Sequence, residues 1–439
     1  MHQRMDAHAL YQMDASGFTG GHPLRWISFR VFLWSVLGLV LVVGGALIVT
    51  ATIAQQPVLL WQFMQLHLGL VLGAVGAYGL AVLIIEQTSR FPGWSSVTVV
   101  LPAVSGVFLV LVCVLLIGRF YYARSFVLTT YCLSFAWLTL GMHLRRRYLI
   151  PRLAIIPEGS GPSLASTHGV RWQILVQPSL VDVQVDGVVA DLHANLSDQW
   201  LRFVADCALH RVPVYHSGWV RESITGRTSL AQMSETFMYS LEPPAIYFLG
   251  KRVFDLLIVF SVMPLAIPLM GVCALMVKLD SPGPVIFKQQ RVGQGGSIFS
   301  MLKFRSMHLE SECNGEKFAD HGDPRITRIG AVMRKWRLDE LPQIWNILCG
   351  HMSLIGPRPE QVGFAKGFEE QIPFYSYRHI IKPGITGWAQ VTHGYTADLE
   401  STTEKLERDI YYIRHLSFWL DFSILIRTLR ILITGFGAR

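Results

Sequence analysis

The hydrophobic positions of this chain fall into four long runs, then a patchwork of short ones, then one further long run. Residues 31–54 carry no charge, and apolar runs at 66–85, 97–117 and 126–142 follow. Each approaches the roughly 20 apolar residues that a bilayer-crossing helix requires, the last being the shortest. Four spans are therefore expected over 31–150, after a tail at 1–30. From Pro151 the pattern changes. "RLAIIP", "WQILVQ", "GVVADL" and "VPVYH" are short β-like runs, and "LSDQWLRFVADCALH" has helical periodicity with Ser197 in the N-cap position. Residues 151–240 therefore predict a small α/β, Rossmann-like domain. "PEGSGPS" after the first strand lacks the G-x-G-x-x-G spacing, so it reads as a plain turn and not as a dinucleotide loop.

The last unit, 241–439, opens on a run at 253–277 that is long enough for a fifth span. Pro264 and Pro268 stand in its middle. Each removes a backbone donor and crowds the preceding turn, so a bend or break is expected there. A helix that enters one leaflet, turns and leaves on the same side would keep the basic tail beyond Lys278 from export. Near the end, "YYIRHLSFWLDFSILIRTLRILITGFGAR" mixes apolar residues with Arg414, Asp421, Arg427 and Arg430, which suits an interfacial helix better than a span.

Charge gives these elements an orientation. Arg25 and Arg30 precede the first run, residues 55–61 carry no charge, and "HLRRRYLIPR" follows the fourth. By the positive-inside rule both ends of the bundle face the cytoplasm, although Arg119 and Arg124 then fall in an outer connector. The single mid-run ionisable residue, His67, is read as a packing or interfacial residue and not as a proton relay. Only 15% of the 439 residues are charged, 51% are hydrophobic, and the net charge is +8. That composition implies a lipid-embedded protein with anionic partners. No zinc-finger or basic-heptad pattern supports a nucleic-acid partner. The six cysteines, 113, 132, 207, 273, 313 and 349, are scattered without a C-x-x-C, which suits a reducing compartment.

Candidate chemistry concentrates after residue 283. "FKQQRVGQGGSIFSMLKFRSM" places Lys303 and Arg305 on a short alternating strand. "RKWRLDELPQ" sets Asp339 and Glu340 behind Arg334, Lys335 and Arg337. "SLIGPRPE" clamps Arg358 between Pro357 and Pro359, and "IKPGITGWAQV" adds a Gly/Pro loop. Together they offer several fixed cations, one carboxylate pair and rigid loops where backbone can approach a ligand.

With "KRVFD", Pro268, "GPVIFKQQRVG", "KFRSM", "RLDELPQIWN", "MSLIGPRP", "KPGITGWAQ" and "LERDIYYI" in order, the chain from Lys251 onward resembles the bacterial sugar transferases, the monotopic phosphoglycosyl transferases. The four spans and α/β domain ahead of it resemble the larger undecaprenyl-phosphate hexose phosphotransferases of polysaccharide synthesis. The resemblance implies a multi-domain protein of the bacterial inner membrane, with a mainly α catalytic domain on its cytoplasmic side, a re-entrant helix and interfacial amphipathic helices. It implies transfer of a sugar 1-phosphate from a UDP-sugar to undecaprenyl phosphate, with release of UMP. It also implies Asp339 as nucleophile, Glu340 as a ligand of Mg²⁺, Lys303, Arg334 and Arg358 as phosphate-binding cations, and Pro268 as the helix break. Arg305 joins the substrate-binding set by its place beside Lys303. His351, Gln290 and Ile267 depart from the family's usual Asp, Glu and Ser, and Pro264 is an extra proline; a structural effect is expected at His351.

Adjacent helical residues point about 100° apart, so Asp339 can face phosphorus while Glu340 faces a cation. UDP-glucose and UDP-galactose stand as equal donor candidates, ahead of N-acetylated sugars. Spans without functional polar groups and a small domain without a nucleotide loop suggest a homodimer. A non-catalytic membrane scaffold for polysaccharide export is the alternative. A transferase built across many spans is disfavoured, because the first 150 residues hold no acidic pair.

Overall fold

The computed structural model describes residues 23–53, 68–88, 96–119, 123–148, 150–167, 169–181, 183–230, 233, 245–308, 323–392 and 399–434. His67, Cys313, the 55–61 connector and most of the 1–30 tail lie outside this set. The chain divides into two compact units, 1–225 and 226–439.

In the first unit the four apolar runs form helices α1 (Pro23–Ile53), α2 (Leu68–Thr88), α3 (Ser96–Ile117) and α4 (Arg124–Tyr148). All four are long and apolar enough to cross a membrane, including the run expected to be short. A helix satisfies its interior backbone polar groups within itself, which is what lipid demands of a span. The stacked indoles of Trp34 and Trp137, with centroids 4.3 Å apart, join α1 to α4. Tyr78 Oη donates to the Ser35 carbonyl at 3.2 Å and ties α2 to α1. The many lipid-length apolar side chains left exposed, among them Leu72, Leu109 and Val110, fit a bilayer as solvent.

All four expected strands are present in the first unit: β1 (Arg152–Ile155), β2 (Arg171–Ile174), β3 (Gly187–Ala190) and β4 (Val214–His216). They form one parallel sheet in the order β2-β1-β3-β4. Helices α5 (Asp198–Leu209) and α6 (Ser217–Thr225) complete the fold. Trp200, Phe203 and Cys207 of α5 bury against Ala154, Val188 and Ala190, as the helical periodicity requires. Ser197 stands at the N-cap of α5, but its hydroxyl does not cap the helix. It donates instead to Glu158 Oε1 at 2.9 Å, an acceptor the sequence could not place. The "PEGSGPS" turn is closed by the chain itself: Asp191 Oδ2 accepts the Ser160 N–H at 2.9 Å. Gly159 has φ +71°, and an added Cβ there would lie 2.7 Å from Asp191 Cβ, so only glycine allows this approach.

The second unit is led by α7 (Ala245–Asp280), one continuous helix of 36 residues with Pro264 and Pro268 inside it. The chain therefore does not leave the helix at either proline. Each proline deletes one hydrogen bond among some thirty, and a helix of this length tolerates two such losses. Ile267 is half exposed on this helix. Its remaining elements are β5 (Ile286–Val292), β6 (Ile298–Phe304), α8 (Arg328–Lys335), α9 (Gln343–Leu348), β7 (Ser353–Ile355), α10 (Val362–Gln371), β8 (Gly384–Thr386), α11 (Trp388–Thr392), α12 (Leu399–Arg414) and α13 (Phe418–Thr434). β5 and β6 form an antiparallel hairpin, and β7 pairs parallel with β8.

The C-terminal run expected as one interfacial helix is two, α12 and α13. Asp421, read as an interruption by a polar residue, is buried. Tyr247 Oη and Lys251 Nζ donate to its Oδ2 at 2.7 and 2.9 Å, and Tyr412 Oη donates to its Oδ1 at 2.6 Å. This cluster locks the start of α7 to α12 and α13. The expected domain boundary at 240 falls among residues outside the described set. Just before it, Arg227 pairs with Glu404 and Glu407 at 3.1 and 2.7 Å, so this stretch packs with the second unit.

Candidate active site

The site forms where three segments meet. The first is β6, which carries Lys303 opposite Phe287 of β5. Asn346 holds this strand from the side: its Oδ1 accepts the Leu302 N–H at 2.9 Å and its Nδ2 donates to the Ser300 carbonyl at 2.8 Å. The second segment is the turn after α8. Thr327 caps α8 by accepting the Gly330 N–H at 2.9 Å. A Cβ at Gly330 would meet the Ser306 carbonyl at 2.1 Å, so glycine lets α8 lie directly on the "KFRSM" strand. Arg337 then takes a left-handed conformation, φ +54°, and a single 3₁₀ turn, Leu338–Glu340, follows. The acidic pair thus sits on a sharp reversal and not in a regular helix.

The third segment is Pro357–Glu360. Four consecutive carbonyls are engaged: Gly384 N–H donates to Pro357 O at 2.9 Å, Arg378 to Arg358 O at 3.0 Å, Arg291 to Pro359 O at 3.0 Å, and Val292 N–H to Glu360 O at 3.0 Å. The prolines have no N–H to satisfy. A backbone held in this way presents the Arg358 side chain with little freedom. Its Nη2 donates to Glu340 Oε1 at 2.8 Å, and Arg337 Nη1 stands 3.7 Å from the same oxygen.

The surroundings drive the two adjacent carboxyls apart. Burial and the neighbouring Glu340 charge push Asp339 up to about 6, against the pull of Lys303, Arg334 and Arg358. Burial opposes ionisation of Glu340 too, but Arg358, Lys303 and Arg337 overcome it and hold the group down at about 2. Burial and the nearby Arg358 cation lower Lys303 to about 8. One carboxylate is thus fixed as an anion, while the other titrates near neutrality as a pair with it.

Of the residues singled out in the sequence, Lys303, Arg358, Asp339 and Glu340 are brought together, and Arg334 acts on Asp339 from the last turn of α8. Arg305 is not part of this group. β6 ends at Phe304, and Arg305 Nη2 donates to the carbonyl and hydroxyl of Ser281 at 2.6 and 2.9 Å, clasping the end of α7. Its Nε and Nη1 have no hydrogen-bond partner among the described residues. Pro264 and Pro268 lie in the apolar body of α7. His351 is exposed, stacks on Phe299 with centroids 6.0 Å apart, and donates its backbone N–H to the Asn346 carbonyl at 3.0 Å. Gln290 Nε2 donates to Ser300 Oγ at 3.1 Å.

Behind the Pro357–Glu360 segment lies a buried charge network. Arg378 donates to Asp409 Oδ2 at 2.8 Å and to Tyr375 Oη at 2.6 Å, and Glu360 is held by Lys405, Arg378 and Arg291. Removing one member of a buried pair leaves an uncompensated charge, which costs about 3–5 kcal/mol. Arg378→Met should therefore lower the thermal unfolding midpoint of the full chain in detergent by several degrees, and adding Asp409→Leu should recover much of that loss. A shift within error for Arg378→Met would mean that the network does not support this loop.

Among the described residues no three His, Cys, Asp or Glu side chains converge as a metal cage. Mg²⁺ binds through one or two carboxylates and completes its shell with phosphate oxygens and water, so Glu340 is the carboxylate here that could take part in such a shell. Both cations on Glu340 take Oε1.

The model of a family described as bacterial sugar transferase matches residues 246–435. An Aeromonas hydrophila protein named UDP-N-acetylgalactosamine-undecaprenyl-phosphate N-acetylgalactosaminephosphotransferase is 45% identical over 84% of this chain and 87% of its own length. The UDP-glucose:undecaprenyl-phosphate glucose-1-phosphate transferase of Escherichia coli K12 is 42% identical over 40% of this chain and 39% of its own length. A Bacillus subtilis protein named putative undecaprenyl-phosphate N-acetylgalactosaminyl 1-phosphate transferase is 44% identical over 31% of this chain and 76% of its own. Likeness that runs through both units to a relative of matching length makes this chain a member of the bacterial sugar transferase family, and an enzyme of phosphosugar transfer.

Proposed function

We propose that the chain moves a sugar 1-phosphate from a UDP-sugar to undecaprenyl phosphate and releases UMP, through a phosphosugar held on Asp339. The observation that carries this reading is the geometry of the carboxyl pair: Arg358 Nη2 donates to Glu340 Oε1 at 2.8 Å and holds that group as an anion, while the adjacent Asp339 makes no such ion pair among the described residues and stands among Lys303, Arg334 and Arg358 as the carboxyl left to attack. Asp339 attacks the phosphorus that bears the sugar, the P–O bond to UMP breaks, and the UMP phosphate leaves as a dianion. Lys303, Arg358 and Arg334 offset the charge of the diphosphate, which otherwise repels an attacking anion. The lipid phosphate then attacks the same phosphorus and frees Asp339. Glu340 with diphosphate oxygens is the donor set proposed for Mg²⁺, whose part is to draw off charge from those oxygens. The residues proposed for the reaction all come from one chain, and the homodimer expected from the sequence remains a proposal for how chains associate.

The match over 84% of the chain to a protein named as an N-acetylgalactosaminephosphotransferase, beside glucose-1-phosphate transferase matches over about two fifths of the chain, changes the order of donors. UDP-N-acetylgalactosamine becomes the first to test, ahead of UDP-glucose and UDP-galactose. UMP release from a panel of these donors, with and without undecaprenyl phosphate, tests the activity; no release from any of them would favour the scaffold reading.

Two further outcomes follow. Activity needs Asp339 ionised, so kcat/KM should rise with pH through about 6. It needs Lys303 charged, and a lysine with lowered pKa loses its proton as pH rises through about 8, so activity should fall there. Lys303→Arg keeps its charge at all accessible pH and should remove the alkaline limb. Persistence of that limb in the variant would assign it elsewhere. We further propose that the second unit is cytoplasmic, with α7 re-entering the membrane through a bend at its prolines and not crossing it. Ser297 is exposed on the β5–β6 turn. Ser297→Cys should resist impermeant maleimide in intact cells and react after lysis; labelling in intact cells at the level of a periplasmic control would place the unit outside.

A further inference from the structure

Past the acidic pair the chain keeps turning the same way. Leu341 (φ −53°, ψ −38°) and Pro342 (φ −62°, ψ −15°) are right-handed helical and join the Leu338–Glu340 turn to α9 without a break. Several hydrogen bonds along this path close over three residues. Leu341 N–H donates to the Leu338 carbonyl at 3.2 Å, Ile344 N–H to the Leu341 carbonyl at 3.1 Å, and Trp345 N–H to the Pro342 carbonyl at 3.1 Å. A path of about three residues per turn stacks every third side chain on one face. Here those side chains are Glu340, Gln343 and Asn346. All three are buried, while Trp345 is exposed. Contacts fix both ends of this face. Asn346 lies against β6, bonded to the Leu302 N–H and the Ser300 carbonyl. Glu340 accepts from Arg358 at 2.8 Å and feels the charge of Lys303, the residue after Leu302 on β6. Gln343 falls between them, one turn on from the carboxyl pair.

Gln343 is 2% exposed, yet its Nε2 has no hydrogen-bond partner among the described residues. Asn346, the next amide on the same face, has both ends of its side chain satisfied. A dry amide N–H without an acceptor is costly and uncommon in a folded protein. The side chains that converge beside it, Lys303, Arg334 and Arg358, are donors themselves and cannot accept. The acceptor that this corner lacks is one that a phosphorylated substrate brings. We propose that Gln343 is a substrate-binding residue of the transfer site, its Nε2 donating to a non-bridging oxygen of the phosphoryl group that carries the sugar. The proposal rests on the transfer reading above and adds a neutral donor to its cations. A cation attracts every phosphate within reach, that of UMP included. An amide N–H is short in reach and strict in direction, so it acts on the one phosphoryl group it touches. That group is the same before, during and after its stay on Asp339, so both half-reactions use the contact. No proton leaves the amide in either.

The test uses Gln343→Met in the full-length protein, which keeps nearly the side-chain volume and removes the donor. With an accepted UDP-sugar, kcat for UMP release should fall by about 10²-fold, the usual cost of one donor to a reacting oxyanion. Discharge of the phosphosugar by undecaprenyl phosphate should slow by a similar factor. Affinity for UMP, which lacks that phosphoryl group, should not change, and the loss should be alike for every accepted UDP-sugar. The unfolding temperature without substrate should hold or rise, because the variant buries no orphan donor. Both limbs of the pH profile should keep their places, since an amide does not titrate. Wild-type turnover by Gln343→Met would overturn the proposal. So would a lowered unfolding temperature, which would make Gln343 a partner within the fold, or weakened UMP binding, which would put it on the nucleotide. A loss that depends on the sugar would make it a reader of the hexose, and a displaced acid limb would mean that it acts through Asp339; either result overturns the assignment to the phosphoryl oxygen. Absence of UMP release by the wild type from every donor would overturn the transfer reading, and this proposal with it.

Discussion

Asp339→Asn is expected to abolish UMP release, lowering kcat by about 10⁴-fold or more, because it removes the attacking oxygen anion and leaves nearly the same shape. The substitution also takes one negative charge from the cluster. Lys303 then has one anion fewer to stabilise its proton, and its pKa should fall further. The fold should persist and should gain stability at neutral pH, because a carboxyl whose pKa is raised to about 6 is held ionised there at a cost to the folded state. Donor binding by the cations should persist too. The measurement is UMP release together with the unfolding temperature. Substantial turnover at wild-type stability would leave direct displacement by the lipid phosphate as the mechanism.

Glu340→Gln should lower activity by about 10²–10³-fold, for two separable reasons. It removes the proposed Mg²⁺ ligand, so the metal concentration for half-maximal activity should rise. It also leaves Arg358 and Arg337 facing a neutral amide and frees Asp339 from the adjacent negative charge. The Asp339 pKa should therefore fall, and the acid limb of the pH profile should move below 6. An acid limb that moves upward would contradict the electrostatic account even if activity dropped as expected.

Much of this architecture is legible in the sequence because each element carries its own local signal. The four spans follow from run length, and β1 to β4 from short β-branched runs between turn residues. Asp339, Glu340, Lys303 and Arg358 stand in dense motifs, so their chemistry could be paired before their positions were known. Partners that are single residues far apart in the chain could not be matched in this way. Arg378, Glu360, Asp409, Lys405 and Arg291 are spread over more than a hundred positions, and only the fold brings them behind the Pro357–Glu360 carbonyls. The motifs did hold two of them, Glu360 at the end of "GPRPE" and Asp409 at the end of "LERD", but among other charged residues that gave no sign of which would be buried. Asp421 misled for the same reason, since a charge in an apolar helix marks either a wet face or a buried partner, and Lys251 lies 170 residues away. Arg305 misled because alternation gives the face of a strand and not the point where the strand ends.

The central claim, that the sugar phosphate passes through Asp339, is tested most directly without the lipid acceptor. Full-length protein mixed with an accepted UDP-sugar and Mg²⁺, but no undecaprenyl phosphate, should release about one UMP per active chain in a single burst and then stop. Intact mass should show one sugar phosphate added to the chain, and peptide mapping should place it on Asp339. Adding undecaprenyl phosphate should discharge the adduct and restart UMP release. Absence of both burst and adduct, in protein that turns over once the acceptor is added, would contradict the account.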